Sequence, residues 1–197
     1  MPLSVGVPTA FERHASAPVW PEPARIAHRM SIDEADRLRA LRETGMMETT
    51  ADRRLDALVH KAAMLLNMPL AAVTLIDDSR QLVKASIGIG LGYSPRDLSF
   101  CRHTILGSEP FMVTDTQADT RFVDNPVVTG DPGIRFYLGV PVYGPRHQPL
   151  GALCVMDTRP QPGVADGTLE KLRLLADEVS AVFSEPTVIT FKTERDW

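Results

Sequence analysis

Cysteine is scarce in this chain: 197 residues carry two, Cys101 and Cys154, so at most one disulfide can form, and a reducing compartment would leave two free thiols. No run of Lys and Arg stands out, and 25 acidic residues exceed 21 basic ones, giving a net charge of −4. That balance lacks the basic footprint that a phosphate backbone requires, which argues against a nucleic-acid partner. No apolar stretch approaches the roughly 20 residues that cross a bilayer, and residues 1–30 lack the charged start and continuous apolar centre of a signal peptide. The expectation is a cytoplasmic protein without a membrane partner.

Two further absences concern ligands. "GIGLG", with Gly88, Gly90 and Gly92, has Tyr93 where a dinucleotide fingerprint needs its third glycine, and no Gly-Lys-Ser/Thr follows, so a phosphate cradle is not expected. Cys101 and His103 supply two of the roughly four ligands that structural zinc needs, with no others at a telling spacing, so no metal is expected.

What the chain has is 44% apolar composition, enough for one well-buried core. Residues 1–30 hold Pro2, Pro8, Pro18, Pro21 and Pro23 without helical or alternating pattern and read as an irregular tail. Ser31 and Glu34 fit a capping box for a helix that stops at Gly45. Thr49 or Thr50 is the expected cap of a second helix, whose Leu55, Leu58, Val59, Ala62, Leu65 and Leu66 form one apolar face.

"LAAVTLI" and "QLVKAS" read as a hairpin of strands around the turn at 77–80, and 87–98 reads as loop. Ser99 is the expected cap of a short helix over 100–106. "PFMVTD", "IRFYLGVPVY" and "LGALCVMD" are strands, and a final helix spans 166–184. Helices at both ends and five or so hairpin-joined strands between them predict an α+β domain over 31–184 with an antiparallel sheet. The connection 115–133 is long for a compact domain, which marks it as a lid or binding loop.

"SFCRHTI", "DTQADTRFVDNPVVTG", "IRFYLGVPV" and "LGALCVMDTRP", in this order after the second helix and first hairpin, resemble a GAF domain of the bacterial subgroup found in sensor kinases and diguanylate cyclases. The likeness covers about residues 33–184. It implies a PAS-like antiparallel sheet of five or six strands, with terminal helices on one face and a loop-covered small-molecule pocket on the other. It also implies that 99–105 and 115–137 line that pocket, without naming the ligand or any cofactor.

The residues expected there are Phe100, Cys101, His103, Thr104, Asp115, Arg121, Phe122, Asn125, Arg135 and Tyr137. Apolar walls with a few convergent polar groups suit a small polar or aromatic ligand. A plainer alternative stands beside it, in which Arg121 and Arg135 merely tie the loop to Asp115 or Asp119, and Phe100, Cys101, Thr104 and Ile105 pack the underside of a short helix with His103 hydrogen-bonded to the lid.

Several chemistries remain open for Cys101. Phytochrome-like members place histidine directly after the bilin-bearing cysteine; here Arg102 intervenes, turning His103 about 100° away on a helix. The GAF-type free methionine sulfoxide reductases use a set of cysteines that this two-cysteine chain does not supply. A thiol at the first turn of a helix beside Arg102 and His103 favours thiolate, which keeps a redox-sensing role in view. No complete catalytic constellation is seen, so an enzyme is not expected.

Pro186 ends the last helix, and 185–197 reads as a C-terminal tail in which "TVITFK" alternates enough to add as an edge strand. The chain contains no recognisable output segment. The expectation is therefore a stand-alone sensory or regulatory domain that binds a small molecule and signals to a protein partner, as a homodimer paired through its terminal helices. The alternatives are an interaction adaptor with a vestigial pocket, a thiol redox sensor at Cys101, and a bilin-binding photoreceptor.

Overall fold

The structure, a computed structural model, describes residues 34–48 and 52–185. Its elements run α1 (Glu34–Glu43), α2 (Arg53–Leu66), β1 (Leu70–Ile76), β2 (Arg80–Ile87), β3 (Gly92–Pro95), α3 (Cys101–Thr104), β4 (Phe111–Val113), α4 (Pro126–Thr129), β5 (Phe136–Tyr143), β6 (Pro149–Asp157) and α5 (Asp166–Ser184). Six strands form one antiparallel sheet in the order β3-β2-β1-β6-β5-β4. The fold class is α+β, as the element pattern predicts.

Both central strands are buried along their whole length, which is why "LAAVTLI" and "PLGALCVMD" read as nearly continuous apolar runs. The period of two divides them between two cores. Ala71, Val73 and Leu75 of β1 and Leu153 and Val155 of β6 pack under α1, α2 and α5. Ala72 and Ile76 of β1 and Ala152, Cys154 and Met156 of β6 pack instead under α3 and the segment after β4. The sheet is thus the middle of three layers: helices, strands, lid.

Helix α2 buries the predicted face: Leu55, Val59 and Ala62 are fully excluded from water, each Leu or Val contributing roughly 1.5–3 kcal/mol. Its cap is Asp52, whose carboxylate accepts from Arg54 N at 2.9 Å. That corrects the expected threonine cap; an Asp one residue before the first helical turn accepts an otherwise unpaired amide at least as well. Thr49 and Thr50, like Ser31 of the expected capping box, lie outside the described residues.

Glu34 does not depend on that box, because it makes two hydrogen bonds to the buried Arg37 guanidinium and a third to Arg96. Arg37 in turn donates to Ile76 O at 2.7 Å and Pro149 O at 3.5 Å, joining α1 to the ends of the two central strands. Asn67, with φ 51°, closes α2, and α5 has the predicted span with Leu172, Leu175, Ala176, Val179, Val182 and Phe183 buried.

The segment 87–98 is not simply loop. Gly92–Pro95 pairs with β2 as an edge strand, and Arg96–Leu98 forms a 3-10 turn. Four half-exposed residues carry no apolar alternation, and proline is tolerated at an edge, so neither periodicity nor composition announces a strand there. Gly88 has φ +73°, and a Cβ on it would lie 2.6 Å from Pro69 O, so the first glycine of "GIGLG" serves a tight turn. The helix expected over 100–106 is the single turn α3; Ser99 Oγ accepts from Arg102 N at 3.3 Å at its start.

Candidate functional site

The layer opposite the helices is built on Tyr137. Strand alternation points it away from the helices, and Gly139, two residues on, leaves room for the phenol to lie along β5. A Cβ at Gly139 would sit 2.2 Å from Tyr137 Oη and 2.6 Å from Thr104 Oγ1. The two hydroxyls are 2.7 Å apart, which couples α3 to the sheet.

Aromatic rings fill the space above. Phe100 stacks on Tyr137 at 5.1 Å between centroids and tilts against Phe122 at 4.6 Å. Phe111 of β4 completes the group, 6.0 Å from Tyr137 and 6.1 Å from Phe122. His103 stacks on Phe111 and meets Phe122 edge-on at 5.0 Å. Its Nε2 accepts from Arg102 Nε at 3.2 Å, so the imidazole bonds to its own helix and touches the lid through its ring, which corrects the expected hydrogen bond to the lid. Burial, then the Arg102 and Arg121 charges, hold His103 down at about 4, so it is neutral at pH 7.

The polar residues of 115–135 form a rim. Arg135 makes a two-point pair with Asp115 at 3.0 and 2.8 Å, and Arg121 pairs with Asp119. Each guanidinium lowers its carboxylate below the ordinary Asp range. The Arg121 guanidinium also lies 4.9 Å from the centre of Phe111 and 5.3 Å from that of Phe122, a cation–π arrangement over the rings. Asn125 caps α4 by accepting from Val127 N and donates to Leu98 O at 2.9 Å, tying the lid to the turn before α3.

Cys101 lies below the aromatic group and faces the sheet, with Sγ 3.9 Å from Cys154 Sγ. All ten residues predicted from sequence therefore fall in one layer: Phe100, Cys101, Thr104, Phe122 and Tyr137 inside it, His103 half-buried, and Asp115, Arg121, Asn125 and Arg135 along the rim. Sequence reasoning missed Phe111, Gly139, Cys154 and Thr74. Alternation puts Thr74 and Cys154 on the same face as Ala72 and Ala152, but only the Ala72–Cys154 register brings them beneath α3. Among the described residues no group of three His, Cys, Asp or Glu gathers in a metal-binding arrangement, and no helix is long and apolar enough to cross a membrane.

Comparison with known proteins places this architecture. The chain is 37% identical over 149 residues to a cyclic di-GMP phosphodiesterase of Pseudomonas aeruginosa, covering 76% of the chain but 25% of that longer protein. The GAF domain of an Acinetobacter phosphoenolpyruvate-protein phosphotransferase superposes with TM-score 0.56 at 23% identity, over 78% of this chain and 94% of that one. The blue-light absorbing PixJ GAF domain of Thermosynechococcus elongatus gives 0.53 at 17% identity, over 79% and 89%. At such identities the two structures share the fold alone. The GAF domain pattern itself matches residues 50–183, and the chain belongs to the GAF domain family, a sensory and regulatory fold.

Proposed function

We propose that this chain is the sensory module of a signalling protein, taking a small molecule into the aromatic layer beneath the lid and passing the change through its helix layer to a protein partner. The observation that carries this reading is the Arg121 guanidinium set over Phe111 and Phe122, at the rim of a ring cluster that also holds Phe100 and Tyr137. A ligand with a flat aromatic body and an anionic or polar edge matches those groups, replacing ring contacts below and Asp119 at the rim. Because the rings occupy the layer, entry requires residues 115–125 to lift. The resemblance to part of a cyclic di-GMP phosphodiesterase supports an output in cyclic di-GMP turnover.

A second copy is the partner we favour for the helix layer. The Arg54–Glu185 and Lys61–Glu178 pairs set α2 and α5 antiparallel and bring Met64 and Leu174 to one level, 80% and 57% exposed. Exposed apolar side chains on two paired helices suit a two-fold helical contact.

Thermal-shift measurements with nucleobases, aromatic amino acids and their phosphorylated or carboxylated derivatives test the ligand. At least one class should raise the midpoint of the wild-type chain and do so less for Arg121→Ala; stabilisation indifferent to that substitution, or none at all, contradicts the reading.

The competing adaptor reading draws support from the rim, where the Arg135–Asp115 and Arg121–Asp119 pairs already satisfy the lid internally. It predicts that Arg135→Ala leaves partner capture unchanged. The position of Cys101, sulfur toward the sheet beneath Phe100, gives no support to a bilin thioether; an absorbance spectrum of the purified protein checks that point.

A further inference from the structure

Two thiols meet in the lid layer. Cys101 Sγ and Cys154 Sγ are 3.9 Å apart, Cys101 on the one-turn helix α3 and Cys154 on the central strand β6. Both side chains are buried. A disulfide needs about 2.05 Å between sulfurs, so side-chain rotation and a small shift of α3 would close the gap.

The surroundings of Cys101 are not those of an inert core cysteine. Tyr137 Oη donates to its sulfur at 3.2 Å and is itself 2.7 Å from Thr104 Oγ1, so a chain of two hydroxyls ends on the thiol. Thr74 Oγ1, on the strand beside Cys154, is buried without a hydrogen-bond partner among the described residues. A hydroxyl donated to the sulfur, itself backed by a second hydroxyl, stabilises a thiolate where apolar packing would suppress it. The contact with the Cys154 sulfur outweighs burial, and with help from the Tyr137 hydroxyl brings the Cys101 thiol down to about 7. Cys154, whose thiol donates to Ala72 O at 3.5 Å, is buried beside the Cys101 sulfur and is pushed the other way, so it stays protonated.

We propose that Cys101 and Cys154 form an oxidisable dithiol site that reduces a hydroperoxide and closes to an intramolecular disulfide, with Cys101 attacking and Cys154 resolving. In the first step the Cys101 sulfur attacks one peroxide oxygen. The S–O bond forms as the O–O bond breaks, giving a sulfenic acid, and the departing alkoxide takes the proton lost by the Cys101 thiol. In the second, the Cys154 sulfur attacks the Cys101 sulfur. The S–S bond forms, the S–O bond breaks, and the hydroxide leaves as water with the Cys154 proton. Two thiols lose two electrons and two protons, and the hydroperoxide becomes an alcohol and water.

The disulfide would fasten α3 to the central strand and withdraw the sulfur acceptor from Tyr137. A dithiol reductant would reverse it by exchange. Nothing in this chemistry requires the small-molecule ligand, so the two readings stand or fall separately.

The full chain, reduced and freed of reductant, is exposed to hydrogen peroxide, alkylated in denaturant and analysed by intact and peptide mass. The wild type is expected to lose both of its thiols and yield a Cys101–Cys154 linked peptide pair within a single chain. Cys154→Ser is expected to stop at a Cys101 sulfenic acid trapped by dimedone, and Tyr137→Phe to lose thiols roughly tenfold more slowly. The proposal is overturned if the wild type keeps both thiols under exposure that oxidises the unfolded chain, if Cys101 is oxidised without linkage, or if the linkage joins two chains.

Discussion

At the scale of single residues, the lid layer depends on what Gly139 lacks. A methyl group there would occupy the position of Tyr137 Oη, and both the Thr104 contact and the Phe100 stacking follow from the placement of that phenol. Gly139→Ala is expected to cost about 1–3 kcal/mol by chemical denaturation through overpacking, and to disturb the ring contacts above while leaving the helix layer intact. His103 adds a pH dependence of definite sign. Its folded value of about 4 lies below the ordinary 6.5, so between these values the unfolded chain binds the proton and the folded chain does not. This group's stabilisation is therefore complete above pH 6.5 and is lost as pH falls toward 4. Denaturation midpoints of the wild type should decline through that window more steeply than those of His103→Phe, with an imidazole NMR titration midpoint near 4. The residue types at 99–105 and 115–137 were legible as one layer in the sequence, since loop length and family likeness agree there. Cys154 and Thr74 were not, because a cysteine in an apolar strand reads as packing until strand register brings it beneath α3.

Among elements, α1 adds to the apolar contacts of Ala40 and Leu41 one buried side chain that hydrogen-bonds it to the sheet. Arg37 is fully excluded from water and bonds Glu34, Ile76 O and Pro149 O together. Arg37→Ala removes the buried donor to those carbonyls and is expected to destabilise the domain by about 3 kcal/mol, measured by urea unfolding. The lid is held differently: its Arg135–Asp115 pair is partly exposed, and such pairs contribute about 1 kcal/mol or less. Asp115→Ala should therefore speed amide exchange across 115–125 with little change in global stability. Periodicity revealed the elements with long apolar patterns, α2, α5, β1 and β6. It missed β3, an edge strand with no buried stripe, and overextended α3, a single turn held by Ser99 and by contacts from above. The α2 cap was misplaced because Asp52, Thr50 and Thr49 all qualify chemically, and only backbone geometry chooses among neighbouring acceptors.

For the molecule as a whole, the sheet separates the lid layer we propose to read a ligand from the helix layer we propose to transmit the change. The helices are fixed to it by a large apolar core, whereas the lid adds short elements, turns and surface ion pairs over a ring cluster. If the outward face of α2 and α5 pairs two copies, Leu174→Glu should turn a dimer into a monomer by sedimentation while leaving the melting profile of each chain nearly unchanged. The two proposals, ligand entry and peroxide access to Cys101, both require the lid to open without unfolding the sheet. Hydrogen exchange of the chain alone, followed by mass spectrometry, measures this directly. Residues 115–125 and α3 should exchange through local opening at a free energy well below that of β1 and β6; protection of the lid equal to that of those central strands would contradict the account.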